Sequence, residues 1–203
     1  SAPQIIVVRD GLPVKTLAEL ITYAKANPGK LNYASSGNGS LQHVTGAMLE
    51  QQGGVKMVHV PYKGTGPALQ DLLGGHVEAG LLGSAVAEPQ IKAGKLKGLA
   101  VTADKRLASL PMVPTYQELG IPDINTTFIM ALSVPAGTPS GVVDAIVQAG
   151  RKVLQNTDFQ TKILNPFGFG AVGSDAATYG DYIRKQLPVQ KKRIEAGAVQ
   201  LEM

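Results

Sequence analysis

The sequence predicts an α/β fold built around a mostly parallel sheet. Short apolar runs alternate with segments whose apolar residues recur at helical spacing. Glycine-containing turns follow two of the apolar runs, at 35–40 and 61–66. Strands that alternate with helices are typical of parallel sheets, because each parallel connection needs a crossover. In such sheets ligands bind beyond the carboxyl ends of the strands, so we expect both turns on one rim.

The first half of the chain carries the clearest alternation. Thr16-Leu17-Ala18-Glu19 is a capping box, which predicts a helix that ends at Pro28-Gly29. Further helices are predicted from Leu41 to Gly53, closed by Gly53-Gly54, and at 67–73 and 85–93. The apolar runs between these helices predict strands at 5–8, 31–34, 55–60, 77–82 and 96–101.

The second half is less regular. Three prolines within 104–123 indicate a long connection with one helical turn at 116–119. The apolar run 128–134 predicts a strand, which the prolines of 135–139 end. Helices are predicted at 142–154 and from about 176 to 194, the latter bent at Pro188.

Composition excludes several classes of protein. The absence of Cys removes disulfides, thiolate nucleophiles and Cys-type zinc sites. Basic residues are scattered and aromatic residues make up 5%, so nucleic-acid binding is not expected. A net charge of +4 suits anionic small molecules. No apolar run is long enough for a membrane span, and the first residues lack the features of a signal peptide, as those of a processed protein would.

The strongest candidate for a ligand site is a glycine- and serine-rich loop between a predicted strand and a predicted helix, Ser35-Ser36-Gly37-Asn38-Gly39-Ser40. Free N–H groups and the positive end of the helix dipole favour a carboxylate or phosphate there. We expect contact through the serine hydroxyls and the N–H groups from Gly37 to Leu41. The alternative is a helix cap provided by Ser36 or Ser40. The loop lacks the residues of a P-loop, a dinucleotide fingerprint or a nucleophile elbow.

Two neighbouring features extend this site. His43 lies in the first turn of the same predicted helix, where it either donates to an anion or is a structural histidine. The turn Pro61-Tyr62-Lys63-Gly64 offers a phenol and a cation, and its alternative is a solvated surface turn. No paired carboxylates accompany them and the three His have no metal-site spacing. We therefore assign no catalytic residue, metal or cofactor, and do not expect an enzyme.

Several segments, taken with their spacing, resemble one family across nearly the whole chain. They are KTLAEL and YAKANPGKL within 15–31, YASSGNGS at 33–40 with His43, HVPYKG at 59–64, DLLGG at 71–75, VPT at 113–115 with ELG at 118–120, and PAGTP at 135–139. This combination is similar to Bug/TctC proteins, the periplasmic solute-binding components of tripartite tricarboxylate transporters.

The resemblance implies a periplasmic-binding-protein-like fold, a type II clamshell whose cleft binds small carboxylates such as di- or tricarboxylates or amino acids. It implies delivery to membrane transporter subunits, a periplasmic location and no catalysis. It also implies that the loop 35–40 and the turn 61–64 face the ligand, and it adds Ser84 at another position on the rim.

Two departures from the family pattern qualify this assignment. Family members carry a first-lobe segment ahead of the position of Ile5, so we expect one complete lobe plus a remnant of the other. The ligand-facing second lobe is assigned to 11–125, and the hinge strands and first-lobe remnant to 1–10 and 126–203. A Trp common near Phe128 is absent, so ligand identity cannot be transferred. Apolar faces of the remnant are expected to pack onto the second lobe or a second copy of the chain.

Three functions therefore remain open from the sequence. The leading one is a carboxylate-binding protein of a tripartite transporter. The second is a truncated single-lobe interaction or sensory module with a degenerate pocket. The third is an enzyme that uses the helix N-terminus to hold an anionic substrate, which the missing acid–base pair disfavours.

Overall fold

The computed structural model describes residues 2–121, 124, 126, 128–165 and 169–197. The chain divides into two compact units. The larger unit contains Pro3–Phe128 with Arg193–Met203, and the smaller contains Ser1–Ala2 with Ile129–Lys192. Within the described ranges, no helix is both long and apolar enough to cross a membrane.

The larger unit is built on a five-stranded sheet with the order β3-β2-β4-β1-β5. Its strands are β1 (Gln4–Arg9), β2 (Asn32–Ser35), β3 (Val58–Pro61), β4 (Ala79–Gly83) and β5 (Leu96–Val101). Strand β2 pairs in parallel with β3 and β4, whereas β1 runs antiparallel to both β4 and β5. Four strands therefore share one direction, as predicted, and β1 alone is reversed.

A helix follows each of the first four strands, in the predicted order. They are α1 (Leu17–Ala26), α2 (Leu41–Gly53), α3 (Thr65–Gly74) and α4 (Ser84–Lys92). At α1 the Thr16 hydroxyl accepts from the Glu19 N–H at 3.1 Å, as the capping box predicts. The Glu19 carboxylate returns to the N–H of Lys15 at 2.6 Å, one residue before the cap, so it still satisfies a donor at this helix end.

Strand β1 is an interior strand of the sheet, between β4 and β5, and its side chains enter both core clusters. Ile6 and Val8 pack into the cluster that contains α1 and α2 residues, whereas Ile5 and Val7 pack into the cluster that contains α3 and α4 residues. Strand β1 therefore belongs to the sheet of the larger unit, and the assignment of 1–10 to the hinge strands and first-lobe remnant stays a prediction. A short apolar run that is buried on both faces is stabilised most in the middle of a sheet.

The smaller unit is helical. It contains α5 (Ser140–Gln155), α6 (Thr157–Phe159), a π-helical turn over Gln160–Leu164, and the start of α7 (Ala176–Gly197), which includes Pro188. The predicted helices 142–154 and 176–194 are confirmed. The predicted strand at 128–134 is wrong, since residues 129–134 form no strand and the side chains of Met130 and Leu132 are 72% and 80% exposed. Phe128 alone of this run forms a β-bridge, and a single bridge without a continuing ladder does not make a strand.

Candidate functional site

Three strand-to-helix junctions meet at one edge of the sheet in the larger unit. Strand β2 leads into α2, β3 into α3, and β4 into α4. Because these strands are parallel, their carboxyl ends and the three helix N-termini lie at the same edge, which we call the carboxyl edge. Helix N-termini carry unpaired N–H donors and a partial positive charge, so this edge favours an anion.

Ser35 connects the loop 35–40 to the sheet. Its side chain is buried at the end of β2, and its Oγ lies 2.6 Å from Nε2 of His59 on β3. The same Oγ accepts a hydrogen bond from the N–H of Gly37 at 3.1 Å. The hydroxyl of Ser35 therefore has hydrogen-bond partners within the protein, and these bonds hold the start of the loop in place.

The second half of the loop is held by the first turn of α2. The Ser40 hydroxyl caps this helix by accepting from the His43 N–H at 3.2 Å. The N–H of Gly39 donates to Nδ1 of His43 at 3.2 Å, and the N–H of Ser40 donates to the Gly37 carbonyl at 3.2 Å. Ser40 thus caps the helix. His43 accepts a hydrogen bond from the loop, whereas the sequence analysis considered it as a donor to an anion or as a structural histidine.

Two of the predicted backbone donors remain unpaired. Of the N–H groups from Gly37 to Leu41, those of Gly37, Gly39 and Ser40 have partners inside the loop. Within residues 2–121, the N–H groups of Asn38 and Leu41 donate to no protein acceptor. The structure therefore leaves these two as the donors that a ligand could use.

The two predicted turns are joined to each other. The N–H of Tyr62 donates to the Ser35 carbonyl at 3.1 Å, and the N–H of Gly64 donates to the Ser36 carbonyl at 3.2 Å. Gly37 has a φ of 137°, and a Cβ at this position would lie 3.3 Å from the Tyr62 carbonyl oxygen. The junction therefore requires glycine at position 37 both for its backbone angle and for space.

The side chains of the 61–64 turn have different environments. The Tyr62 hydroxyl donates to Oδ2 of Asp71 on α3 at 2.7 Å, so the phenol is tied to the helix that follows. Burial and the Asp71 carboxylate raise the pKa of Tyr62 to about 12. Lys63 is exposed, and its ammonium forms no ion pair with any residue that the structure describes.

A stacked pair of imidazoles lies behind the loop. The rings of His43 and His59 are 3.7 Å apart between centroids and 15° from parallel, and the ring of Tyr33 lies 5.1 Å from that of His59. Burial lowers the pKa of both His, and that of His59 falls to about 4 with a further contribution from His43. Sequence reasoning missed His59, whose position follows from its register opposite Tyr33 on β2.

Ser84 lies at the carboxyl edge but is closed off from solvent. It is the first residue of α4, it is 2% exposed, and its Oγ has no hydrogen-bond partner in the described part of the chain. Gln4, which pairs in register with Gly83, carries a second buried and unpartnered oxygen, Oε1. Sequence analysis did not single out Gln4, because its role depends on the position of β1 beside β4.

Metal-ligating side chains do not cluster at this edge. Across the described ranges, no group of three His, Cys, Asp or Glu could hold a metal ion. The chemistry available at the edge is therefore hydrogen-bond donation from backbone N–H groups and attraction by helix dipoles and Lys63.

Comparison with known proteins identifies the family. Residues 1–199 match the tripartite tricarboxylate transporter family receptor, TctC. The chain is 34% identical over 190 residues to the UPF0065 protein in the gbd 5' region of Cupriavidus necator, an alignment that covers 94% of this chain and 57% of that relative.

Solved structures give the same result. The periplasmic binding protein BugD superposes with a TM-score of 0.83 at 30% identity, over 99% of this chain and 68% of that one. A protein of R. palustris with adipate has a TM-score of 0.84 at 28% identity, over 98% and 66%. MatC from Rhodopseudomonas palustris with bound malate has a TM-score of 0.73 at 29% identity, over 98% and 66%. This chain thus spans about two thirds of these structures.

Proposed function

Since the chain belongs to the tripartite tricarboxylate transporter receptor family TctC, we propose that it binds a small carboxylate at the carboxyl edge. The single observation that carries this proposal is the convergence of three helix N-termini there, where the N–H groups of Asn38 and Leu41 have no hydrogen-bond partner in the part of the chain that the structure describes. Unpaired donors at a positive helix end match the acceptor oxygens and the charge of a carboxylate.

The side chains around these donors favour an anion over a cation. The segments 35–40 and 61–64 contain no acidic residue, and Lys63 adds a positive charge. The nearest acidic partner of the 61–64 turn, Asp71, accepts a hydrogen bond from Tyr62. A cationic ligand would therefore meet donors and positive charge, which costs free energy unless a counter-charge is present.

The solved relatives support an aliphatic dicarboxylate as the ligand class. One neighbour contains adipate and another contains malate, and each shares the fold over nearly all of this chain. We further propose that the protein is extracytoplasmic and delivers its ligand to the membrane subunits of a tripartite tricarboxylate transporter, with no catalytic step. The family assignment and the likeness to a periplasmic binding protein support this role.

A second candidate is an interaction or sensory module with a degenerate pocket. It is favoured by the closed hydroxyl of Ser84 and by the exposed apolar side chains of Met130 and Leu132, which suit contact with another protein. This candidate predicts a folded chain that no carboxylate stabilises.

Thermal denaturation of the full chain with matched ligands separates the two candidates. Succinate, malate and adipate supply carboxylates. Hexane-1,6-diol keeps the length of adipate with no charge, and 1,6-diaminohexane keeps it with two positive charges. We expect at least one dicarboxylate to raise the melting temperature in a concentration-dependent way, since a ligand at 100 times its Kd adds about 2.7 kcal/mol. No stabilisation by any dicarboxylate, or equal stabilisation by the diol, would reject carboxylate binding.

A further inference from the structure

Two imidazoles, from different elements, fix the two halves of the loop 35–40. His59 on β3 bonds to Ser35 Oγ through Nε2 at 2.6 Å, and His43 on α2 accepts the Gly39 N–H through Nδ1 at 3.2 Å. The two rings stack on each other at 3.7 Å, so a shift of one ring displaces the other. The loop is thereby connected to both the strand and the helix that flank it.

We propose that His43 and His59 are positioning residues for the carboxylate site, and that full affinity requires the His43 ring to be neutral. This inference rests on the proposed function. The two histidines act through Gly39 and Ser35, and they hold the loop in the shape that leaves the N–H groups of Asn38 and Leu41 unpaired. A preorganised set of donors binds more tightly, because no ordering cost is left for the ligand to offset.

The required protonation state follows from the atoms involved. Nδ1 of His43 accepts a hydrogen bond, so its proton in the neutral ring is on Nε2. A second proton on Nδ1 would place two donors face to face and release the Gly39 N–H. A charge on either ring also opposes a charge on the other across the stack.

The surroundings supply little to stabilise an imidazolium. Among the titratable groups that the structure describes, Tyr33 on β2 packs beside His59, and the Glu50 carboxylate on α2 helps to raise the pKa of the Tyr33 phenol. Glu50 acts on Tyr33, whereas burial is the main influence on the pKa of each imidazole, and no carboxylate raises either pKa. The positive N-terminus of α2 further disfavours a charge on His43.

Amide substitutions test which ring nitrogen matters. Asn places its side-chain amide near the position of Nδ1, and Gln places it near the position of Nε2. We expect His43→Asn and His59→Gln to keep adipate affinity within about threefold of wild type, and the swapped variants His43→Gln and His59→Asn to lose about tenfold, the value of one hydrogen bond. Each of the four variants removes one ring of the stack. If the role of the histidines were purely structural, the Asn and Gln variants at the same position would therefore have equal affinities.

The pH dependence gives a second readout by isothermal titration of the full chain with adipate. We expect wild-type affinity to hold from pH 7.5 to pH 6.5 and to fall as the pH drops further toward 5, because burial lowers the pKa of His43 below its ordinary 6.5. The affinity of His43→Asn should change less, since position 43 then has no ring to protonate. Two results would overturn the inference while carboxylate binding stands. They are equal affinities of the Asn and Gln variants at each position, or the same pH profile in His43→Asn and wild type. Failure of folded wild type to bind malate or adipate at pH 7.5 would instead remove the proposed function and this inference together.

Discussion

The N–H of Gly64 donates to the carbonyl of Ser36 over 3.2 Å, so the turn after β3 is bonded to the turn after β2. In the same turn, the N–H of Tyr62 donates to the carbonyl of Ser35 at 3.1 Å. Together these bonds make the loop 35–40 and the turn 61–64 one surface. The following predictions test how that surface is held and what it binds.

Replacing Gly37 with Ala should weaken ligand binding. The new Cβ would lie 3.3 Å from the Tyr62 carbonyl oxygen on a backbone with φ of 137°, so the two turns must move apart. We expect a loss of about 1–3 kcal/mol in unfolding free energy, together with reduced adipate affinity. Gly75→Ala is the control, because Gly75 also has a positive φ of 80° but a Cβ there meets no atom within 4 Å. It should lose stability without losing affinity, and equal loss of affinity in both variants would contradict the account.

Replacing Gly46 with Ala should destabilise the larger unit. A Cβ on this residue of α2 would lie 2.3 Å from Cε2 of Tyr33, which is buried and packs beside His59. Relief of that overlap requires a shift of the ring or the helix, and we expect a cost of about 1–3 kcal/mol by urea unfolding. Gly66→Ala in α3 meets no atom within 4 Å and should stay within about 0.5 kcal/mol of wild type. Wild-type stability of Gly46→Ala would show that Tyr33 is not confined as described.

Removing the Tyr62 hydroxyl should destabilise the 61–64 turn. Tyr62→Phe deletes the donor to Asp71 and leaves that carboxylate without its 2.7 Å hydrogen bond, so we expect a loss of about 1–2 kcal/mol in unfolding free energy. Tyr23→Phe is the matched control, because the Tyr23 hydroxyl makes no hydrogen bond with any residue that the structure describes. If the two substitutions cost the same, the Tyr62–Asp71 bond does not stabilise the turn.

Acidification should destabilise the protein through the stacked imidazoles. Burial lowers the pKa of His43 and His59 in the folded protein, and that of His59 reaches about 4, below the ordinary value of 6.5. Between these values the unfolded chain binds protons that the folded chain does not, so stability is full above pH 6.5 and falls as the pH drops toward 4. Melting temperatures from pH 7.5 to 5 should show this fall.

The control for this pH effect is the third histidine. A double variant with His43→Asn and His59→Gln should have a flatter profile above pH 5, where most carboxylates remain ionised. His76→Gln should keep the wild-type profile, since His76 lies outside the stacked pair. An unchanged slope in the double variant would assign the pH dependence to other groups.

Local features of this fold could be predicted from sequence, whereas long-range pairings could not. The Thr16 cap and the helix beginning at Leu41 were predicted because capping residues and helical periodicity act within a few residues. The interior position of β1, between β4 and β5, depends on which strands pair across the sheet. The apolar pattern of 5–8 predicts a strand but does not encode those partners, so the place of this strand in the sheet could not be predicted.

In the candidate site, too, local features could be predicted from the sequence and long-range contacts could not. The loop 35–40 and the turn 61–64 were singled out from glycine, serine and strand signals, and the parallel order of β2 and β3 brings them together. The stacking of His43 on His59 depends on the register that sets His59 opposite Tyr33, which the sequence alone does not reveal. Ligand contact by any of these residues stays a prediction.

The most direct test of carboxylate binding at the carboxyl edge is an NMR titration of the full chain, labelled with ¹⁵N, with adipate. If the N–H groups of Asn38 and Leu41 receive the carboxylate, their amide signals should shift saturably with one common Kd. Hexane-1,6-diol should leave them unchanged. Saturable shifts confined to residues away from the carboxyl edge, or no saturable shift at any adipate concentration, would contradict the account.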